Sequence, residues 1–418
     1  LAIPSKQCDN RAKRFLKDDN MTQTIALQIK QPFADQLKKG YPLISKDAVD
    51  ARQLPSEQGT LLKLMDHHNR FIGTGYFGIQ NKGIGWVLTT DINETIDKAF
   101  FIKKFKKAIQ LREAFFQNEH TTAFRVFNGE GDGIGGLTID FFNGYYMVSW
   151  YSEGIYSLKE VVYEALAETI NYQAIYEKKR FDGKGQYMEQ DDFVMGTPGE
   201  FPILVKENGM TYAVHLNDGA MTGIFLDQRE VRLAIRERHA NPANMINNFS
   251  YTGAFSVAAA LGGAIKTTSV DVAKRSLAKT IEQFSVNQID YEAQDIKVMD
   301  VFHYFKYAQR HALKFDLVVL DPPSFARTKQ MTFSTAKDYP KLLKDTIAIT
   351  AKNGIIVAST NNASFGMKKF KGFIDQAFKE TRTRYKIVEE YGLPKDFRVP
   401  REYPEFNYLK VVFIQKID

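Results

Sequence analysis

The stretch FDLVVLDPPSFARTKQM, Phe315 to Met331, decides how the rest of the chain is read. Its apolar run, Leu317 to Leu320, has the length of a buried strand and stops abruptly on Asp321, Pro322 and Pro323, with an aromatic, Phe325, two residues further on. The prolines fix φ and carry no N–H, so such an end offers a carboxylate and free carbonyls, all of them acceptors. A strand that needs only to pack has no use for that ending. It points to something held at the strand's end.

Working outward, NMINNFS, IKTTSVD, IKVMD and GIIVAST read as further strands, and GAFSVAAALGG and VAKRSLAKTIEQFSVN read as helices between them. Such alternation predicts an α/β domain with a mostly parallel, Rossmann-like sheet covered on both faces. In open sheets of this kind ligands sit at the carboxyl ends of the strands, near the point where strand order reverses. The first strand runs into Phe249, Ser250, Tyr251, Thr252 and Gly253, where the glycine lets a ligand approach the backbone. The second ends on Asp271, placed to accept both hydroxyls of a ribose, and the third on Asp300, placed to accept from an adenine amino group. Each acid taken singly also reads as a helix N-cap or a solvated strand end; the recurrence in successive strands weighs against that. The spacing G-x-G-x-x-G occurs only within FIGTGYFG and GEGDGIGG, neither of which leads from a strand into a helix, and G-x-x-x-x-G-K-[ST] is absent, which leaves dehydrogenases and nucleotide triphosphatases little support. An adenosine-binding sheet without a pyrophosphate cradle suits S-adenosylmethionine.

Ahead of this domain, FPILVKENGMTYAVHL predicts a hairpin turning at Asn208-Gly209. The glycines of GEGDGIGG, Gly129 to Gly136, invite a phosphate-loop reading, but LTIDFF after them alternates like a strand, so a tight turn is expected. The division expected is an extension over 1–20, a small β-barrel over 21–95, a central α/β unit over 96–195 and the Rossmann-like domain over 196–418. Ile96 to Phe116 has helical periodicity with six lysines or arginines, including Lys103, Lys104, Lys106 and Lys107; a solvated face and an RNA-facing one fit equally.

Composition narrows the classes. Among 418 residues there is one cysteine, Cys8, so no internal disulfide forms, and seven scattered histidines argue against a zinc site; His67-His68 is expected in a polar turn. No apolar window reaches the roughly 20 residues of a membrane span, and the first residues lack a signal peptide's layout, so a soluble cytoplasmic protein is expected. A net charge of +7 fits a polyanionic partner without establishing one.

Together FNGEGDGIGGLTIDFF, GIFLDQREVR, NNFSYTGAFSVAAALGGA, SVD and LDPPSF resemble the large-subunit ribosomal RNA methyltransferases that carry an N-terminal PUA barrel, a central α/β domain and a class I methyltransferase domain. The resemblance runs from about Met21 onward. It implies that Phe249 to Gly253 line the methionine half of the cofactor, that Asp271, with Val272 beside it, holds the ribose, and that Asp300 and Val301 frame the adenine. Gln228 of FLDQR is similar to a glutamine that contacts the cofactor, and Arg229 or Arg232 is placed for its carboxylate or for an RNA phosphate, against the plainer reading of helix-surface charge. Asp321, Pro322, Pro323 and Phe325 are implied to hold a flipped base, by hydrogen bonds and stacking. Ribosomal RNA is the implied partner; a homodimer is left open.

One departure bears on the reaction. Family members that methylate carbon 5 of cytosine carry a cysteine just after the fifth strand, where this chain reads IIVASTNNASF, with Asn361 and Asn362. Carbon 5 is a poor nucleophile until a thiolate adds at carbon 6, so a thiol-independent reaction at a guanine nitrogen is expected, with Asn361 in the site. The asparagines also read as caps of the next helix. Cytosine C5 methylation, a protein or small-molecule substrate, and an RNA-binding protein without activity stand as alternatives.

Overall fold

The computed structural model describes residues 24–80, 83–181, 192–219, 221–327, 332–400 and 403–418; the expected extension over 1–20 and Cys8 lie outside them. The first sheet is built from β1 (Thr24–Gln28), β2 (Leu43–Ser45), β3 (Leu61–Met65), β4 (Phe71–Phe77) and β5 (Gly83–Thr89), in the order β1-β3-β4-β5-β2. Only the β1–β3 pair is parallel. Leu27, Ile44, Leu62 and Leu64 fill its core, and His67 and His68 lie exposed in the turn between β3 and β4.

The basic stretch that follows is not one helix. Asp97 caps Lys98–Gln110 by accepting from the Phe100 N–H at 3.0 Å, and Phe100, Phe101, Phe105 and Ala108 form its buried stripe. The helix stops at Leu111 and resumes as Glu113–Phe116. At the break Arg112 turns inward, its guanidinium donating to Asp132 at 2.6 Å and to the Asp396 carbonyl at 2.6 Å. Lys104 also turns in, onto the Leu88 carbonyl, and Lys103 pairs with Glu94, so Lys106 and Lys107 keep the outward charge.

The central sheet contains β6 (Ala123–Asn128), β7 (Leu137–Phe142), β8 (Tyr145–Trp150), β9 (Ala174–Lys179) and β10 (Phe193–Gly196), ordered β10-β9-β8-β7-β6. Its one parallel pair, β8 with β9, is bridged by the helix Lys159–Thr169, as a parallel pair requires. A short 3-10 turn, Gly129–Gly131, and no helix N-terminus stands between β6 and β7, in keeping with a turn. The glycines there serve packing between sheets: a Cβ on Gly131 would lie 1.9 Å from the Arg398 carbonyl, and one on Gly135 2.2 Å from the Trp86 ring. Next, β11 (Ile203–Glu207) and β12 (Met210–Val214) form the hairpin, with Asn208 and Gly209 both at positive φ as a two-residue turn demands.

The last sheet holds β13 (Asn244–Asn248), β14 (Lys266–Asp271), β15 (Asp295–Val298), β16 (Phe315–Leu320), β19 (Thr350–Thr360), β20 (Tyr385–Tyr391) and β21 (Lys410–Lys416); β17 (Phe325–Arg327) and β18 (Thr332–Ser334) make a small ribbon of their own. Its order is β15-β14-β13-β16-β19-β21-β20, parallel except for β21. Alternate residues feed opposite cores: Leu317 and Val319 pack with Met245 and Val257, whereas Val318 and Leu320 pack with Ile246 and Leu343. That explains the unbroken apolar run, since a strand buried on both faces has no polar side.

Arg229 and Arg232 correct the expectation. Both are about 1% exposed; Arg229 is clamped by Asp396 and Arg232 by Glu207, at 2.7 Å through two parallel bonds. They are neither surface charges nor open to a ligand. A guanidinium sealed from water keeps its charge only with a carboxylate in reach, and each has one.

Candidate active site

Strand order reverses at β13, which pairs with β14 on one side and β16 on the other. The register sets Asn248 opposite both Val270 and Leu320, so the three strands finish level and the residues after them meet. After β13 the chain turns tightly, with Phe249 (φ 60°), Tyr251 (φ 53°) and Gly253 (φ 81°) all left-handed. Positive φ at two aromatic residues is unfavourable and needs support from around it. Support comes from the Ser250 N–H on the Val270 carbonyl at 3.0 Å, the Tyr251 N–H on Asp271 Oδ2 at 2.9 Å, and the Thr252 hydroxyl on the Gly223 carbonyl at 2.7 Å. Gly253 is required by packing as well as by φ, because a Cβ there would lie 2.7 Å from Thr280 Cγ2.

The acids at the strand ends divide their work. Asp271 accepts from Tyr251 and, at 2.8 Å, from the Ala273 N–H, leaving lone pairs on each oxygen. Val272 beside it is 64% exposed, an apolar side chain at a strand end with nothing packed over it. Asp300 caps the helix Val301–Arg310, its Oδ1 accepting from the His303 N–H at 3.1 Å, and the Val301 side chain is buried in the core, so Val301 offers a ligand only its backbone.

On the other side of β13, Asp321 ends β16 half-buried. Gln228 bridges it to the next strand, Nε2 lying 3.4 Å from Asp321 Oδ1 and 2.9 Å from Ser359 Oγ. Burial, with the Asp227 carboxylate nearby, pushes the Asp321 carboxyl up to about 6, against the pull of the Ser359 and Gln228 hydrogen bonds. Asp227 itself is raised by burial and accepts from the Tyr408 hydroxyl at 2.9 Å. Tyr339, sealed in the core, donates to the Ser359 carbonyl at 2.8 Å and so fixes the end of β19.

Beyond Asp321, Pro322 is buried and Pro323 exposed, and Phe325 is 61% exposed, with no ring contact among the described residues. Ser324 donates to Asn361 Oδ1, while Asn362 donates to Thr335 Oγ1 at 2.9 Å and accepts from the Ser364 N–H at 2.9 Å. The next helix starts at Met367 behind Gly366, so neither asparagine caps it. Asp227, Ser324, Ser359 and Tyr339 escaped the sequence reading. Asp227 stood in FLDQR beside Gln228 and Ser324 in LDPPSF beside Phe325, which were their signals.

The profile of the S-adenosylmethionine-dependent methyltransferase family matches residues 125–402, and that of a PUA-like domain matches 27–90. The chain belongs to the S-adenosylmethionine-dependent methyltransferases. It is 62% identical over 392 residues, 93% of this chain and 99% of the relative, to the Bacillus subtilis protein named "Putative ribosomal RNA large subunit methyltransferase YwbD". It is 28% identical over 391 residues, again 93% of this chain and 98% of the relative, to a Yersinia pseudotuberculosis "Ribosomal RNA large subunit methyltransferase I". Among solved structures it is similar to SMU.776, "a putative methyltransferase complexed with SAH", at 38% identity and a TM-score of 0.86, covering 94% of this chain and all of that one.

The methyltransferase's cofactor is therefore S-adenosylmethionine, and the level strand ends suit it. The exposed Val272 side chain leaves an apolar surface at these ends, and Gln228 Oε1 is a buried acceptor with no partner among the described residues, beside the point where strand order reverses. When bound, the cofactor supplies a sulfonium-activated methyl group. What the protein adds is position: a five-residue loop braced by hydrogen bonds at Ser250, Tyr251 and Thr252 on one side of the crevice, and a carboxylate, a prolyl carbonyl and an open aromatic ring on the other.

Proposed function

We propose that this methyltransferase modifies a guanine nitrogen of large-subunit ribosomal RNA without a thiol intermediate. The substrate class rests on the names of the relatives, which span essentially the whole chain, and on a net charge of +7 that favours a polyanion. The observation that carries the acceptor is Asn361 at the end of β19, where a thiol nucleophile would stand. A ring or exocyclic nitrogen needs no covalent activation, only alignment with the methyl–sulfur bond and, where it carries hydrogen, an acceptor such as the Asp321 carboxylate for the proton it loses.

In this reading Phe249 to Gly253, Asp271, Val272, Asp300, Val301 and Gln228 hold the cofactor. Asp321, the Pro322 carbonyl, Pro323, Phe325 and Asn361 hold the base. An ionised Asp321 accepts the paired N–H donors of guanine's Watson–Crick edge; cytosine presents one amino group and acceptors there, a poorer match. The division into a PUA-like barrel over 21–95 that binds RNA, a central α/β domain over 96–195 and the methyltransferase domain over 196–418 belongs to the same proposal. Among the described residues no helix is long and apolar enough to cross a membrane.

The test is nucleoside mass spectrometry of large-subunit ribosomal RNA from a strain lacking the gene, before and after treatment with purified protein. A methylguanosine missing from the deletion strain and restored by the protein is expected. Restoration of 5-methylcytidine by a Cys8→Ala protein would overturn the acceptor assignment.

A further inference from the structure

A cleft of about 590 Å³ is lined by residues from all three parts of the chain, among them Asp227, Tyr251 and Asn361 of the candidate active site. Gln80 and Trp86 of the PUA-like domain line it too, as do Thr138 of β7, Glu130 of the turn after β6 and Tyr151 just after β8. We propose that this cleft seats a second, unpaired nucleotide of the RNA strand, next to the one that is methylated.

The first support is a set of buried polar atoms that the fold leaves unsatisfied. Gln80 Nε2, Trp86 Nε1 and Thr138 Oγ1 have no hydrogen-bond partner among the described residues, although Trp86 is only 7% exposed and Thr138 9%. Buried donors are nearly always paired, so three on the walls of one cavity mark a place where a ligand supplies the acceptors. Glu130 adds the opposite polarity. Beyond its own backbone N–H its carboxyl has no hydrogen-bond partner among the described residues, and burial pushes it up to about 7 against the pull of that bond and of Arg125. Donors beside a carboxyl fit a nucleobase edge, which alternates acceptors with N–H groups.

The second support is the remainder of a nucleotide. Tyr151, 48% exposed, offers a ring face for stacking. Arg180 and Arg398, also on the cleft wall, form no ion pair among the described residues and are free for phosphate. The volume suits one nucleotide. A methylated base held at Asp321 and Asn361 would leave its strand running outward through this space, across the junction that Gly131 and Gly135 allow to close.

The inference rests on the proposed RNA substrate, and its test separates the two. Full-length wild type, Tyr151→Ala, Thr138→Val and Glu130→Gln are compared for methyl transfer to large-subunit ribosomal RNA from a strain lacking the gene, and for S-adenosylhomocysteine binding by calorimetry. Expected is a rise in KM for RNA of about 5- to 100-fold for Tyr151→Ala and roughly three- to tenfold for the other two. The kcat and the affinity for S-adenosylhomocysteine stay within twofold of wild type. Thr138→Val is isosteric and Glu130→Gln nearly so, so at least these report on folded protein. Wild-type transfer with all three variants within twofold in KM would overturn the cleft alone. No transfer to RNA by the wild type would overturn the function and the cleft with it.

Discussion

Ser324 donates its hydroxyl to Asn361 Oδ1 across 2.5 Å and ties the loop after β16 to the end of β19. With Oδ1 engaged, the Asn361 side chain is left with its two Nδ2 donors for a base acceptor such as O6. Ser324→Ala frees the asparagine to rotate. Turnover on RNA is expected to fall by about 0.5–1.5 kcal/mol, a factor of roughly two to ten, with cofactor affinity unchanged. Steady-state kinetics with RNA checks this, and equal loss in S-adenosylhomocysteine binding would show that the loop serves the cofactor instead.

Asp271→Ala removes acceptors for two backbone N–H groups and, in the proposed complex, for the ribose. Cofactor affinity should drop about ten- to a hundredfold, roughly 1.5–3 kcal/mol for lost bonds to a charged group. Calorimetry with S-adenosylhomocysteine reads it. Asp271→Asn keeps one acceptor oxygen and should recover part of the loss, which distinguishes a ligand contact from collapse of the Phe249–Gly253 turn.

The strand ends were legible because a strand buried on both faces is a continuous apolar run and its last residue stands out. Asp321 stands out that way, whereas Asp271 and Asp300 were legible only as acids closing the shorter strand patterns IKTTSVD and IKVMD. What was not legible depended on partners far along the chain. Arg229 looks like a helix-surface charge until Asp396, 167 residues on, is folded against it. Arg112 likewise interrupts a helix whose periodicity runs on to Phe116, because its guanidinium is recruited by Asp132 and the Asp396 carbonyl. The glycines after β6 show the same blindness: Gly131 and Gly135 are set by Arg398 and Trp86, which no local pattern reveals.

Asp396 is the hinge of that long-range network, accepting from Arg229 Nη1 at 3.2 Å and from the Arg125 N–H at 2.9 Å. Asp396→Ala leaves the buried Arg229 guanidinium with only the half-exposed Glu230 carboxylate, 3.6 Å away, as counter-charge. A loss of about 3–5 kcal/mol in unfolding free energy is expected, since breaking one side of a buried pair costs far more than removing the pair. Urea denaturation measures it. Arg229→Met with Asp396→Leu should lose much less; a double variant as unstable as Asp396→Ala would contradict the account.

Asp321 predicts opposite pH effects on activity and stability. Its folded-state value of about 6 lies above the ordinary 3.8, so the native state holds this proton more tightly than the unfolded chain. The stability this confers is full below about pH 4 and is lost as pH rises through 6, a change of about 2–3 kcal/mol. Asp321→Asn, which cannot ionise, should therefore melt higher than wild type at pH 8, with the advantage shrinking towards pH 4. Turnover runs the other way. In the proposed complex an ionised Asp321 accepts from the base, so wild-type kcat should rise through about pH 6 to a plateau, and the asparagine variant should be slow throughout. A variant that melts no higher at pH 8 would show that the carboxylate is not strained there.

Phe325 is 61% exposed at the start of β17, and no ring packs on it among the described residues. Exposing that much apolar surface is unfavourable, and an incoming base would cover it. Phe325→Ala should therefore leave thermal stability and S-adenosylhomocysteine affinity near wild type while lowering kcat/KM for RNA by about 1–3 kcal/mol, close to tenfold or more. Phe325→Tyr, which keeps a stacking face, should restore most of the rate. If the alanine variant keeps full activity on RNA, the base is held by Asp321 and the Pro322 carbonyl without stacking. If it melts markedly lower instead, the ring belongs to the fold and not to the substrate.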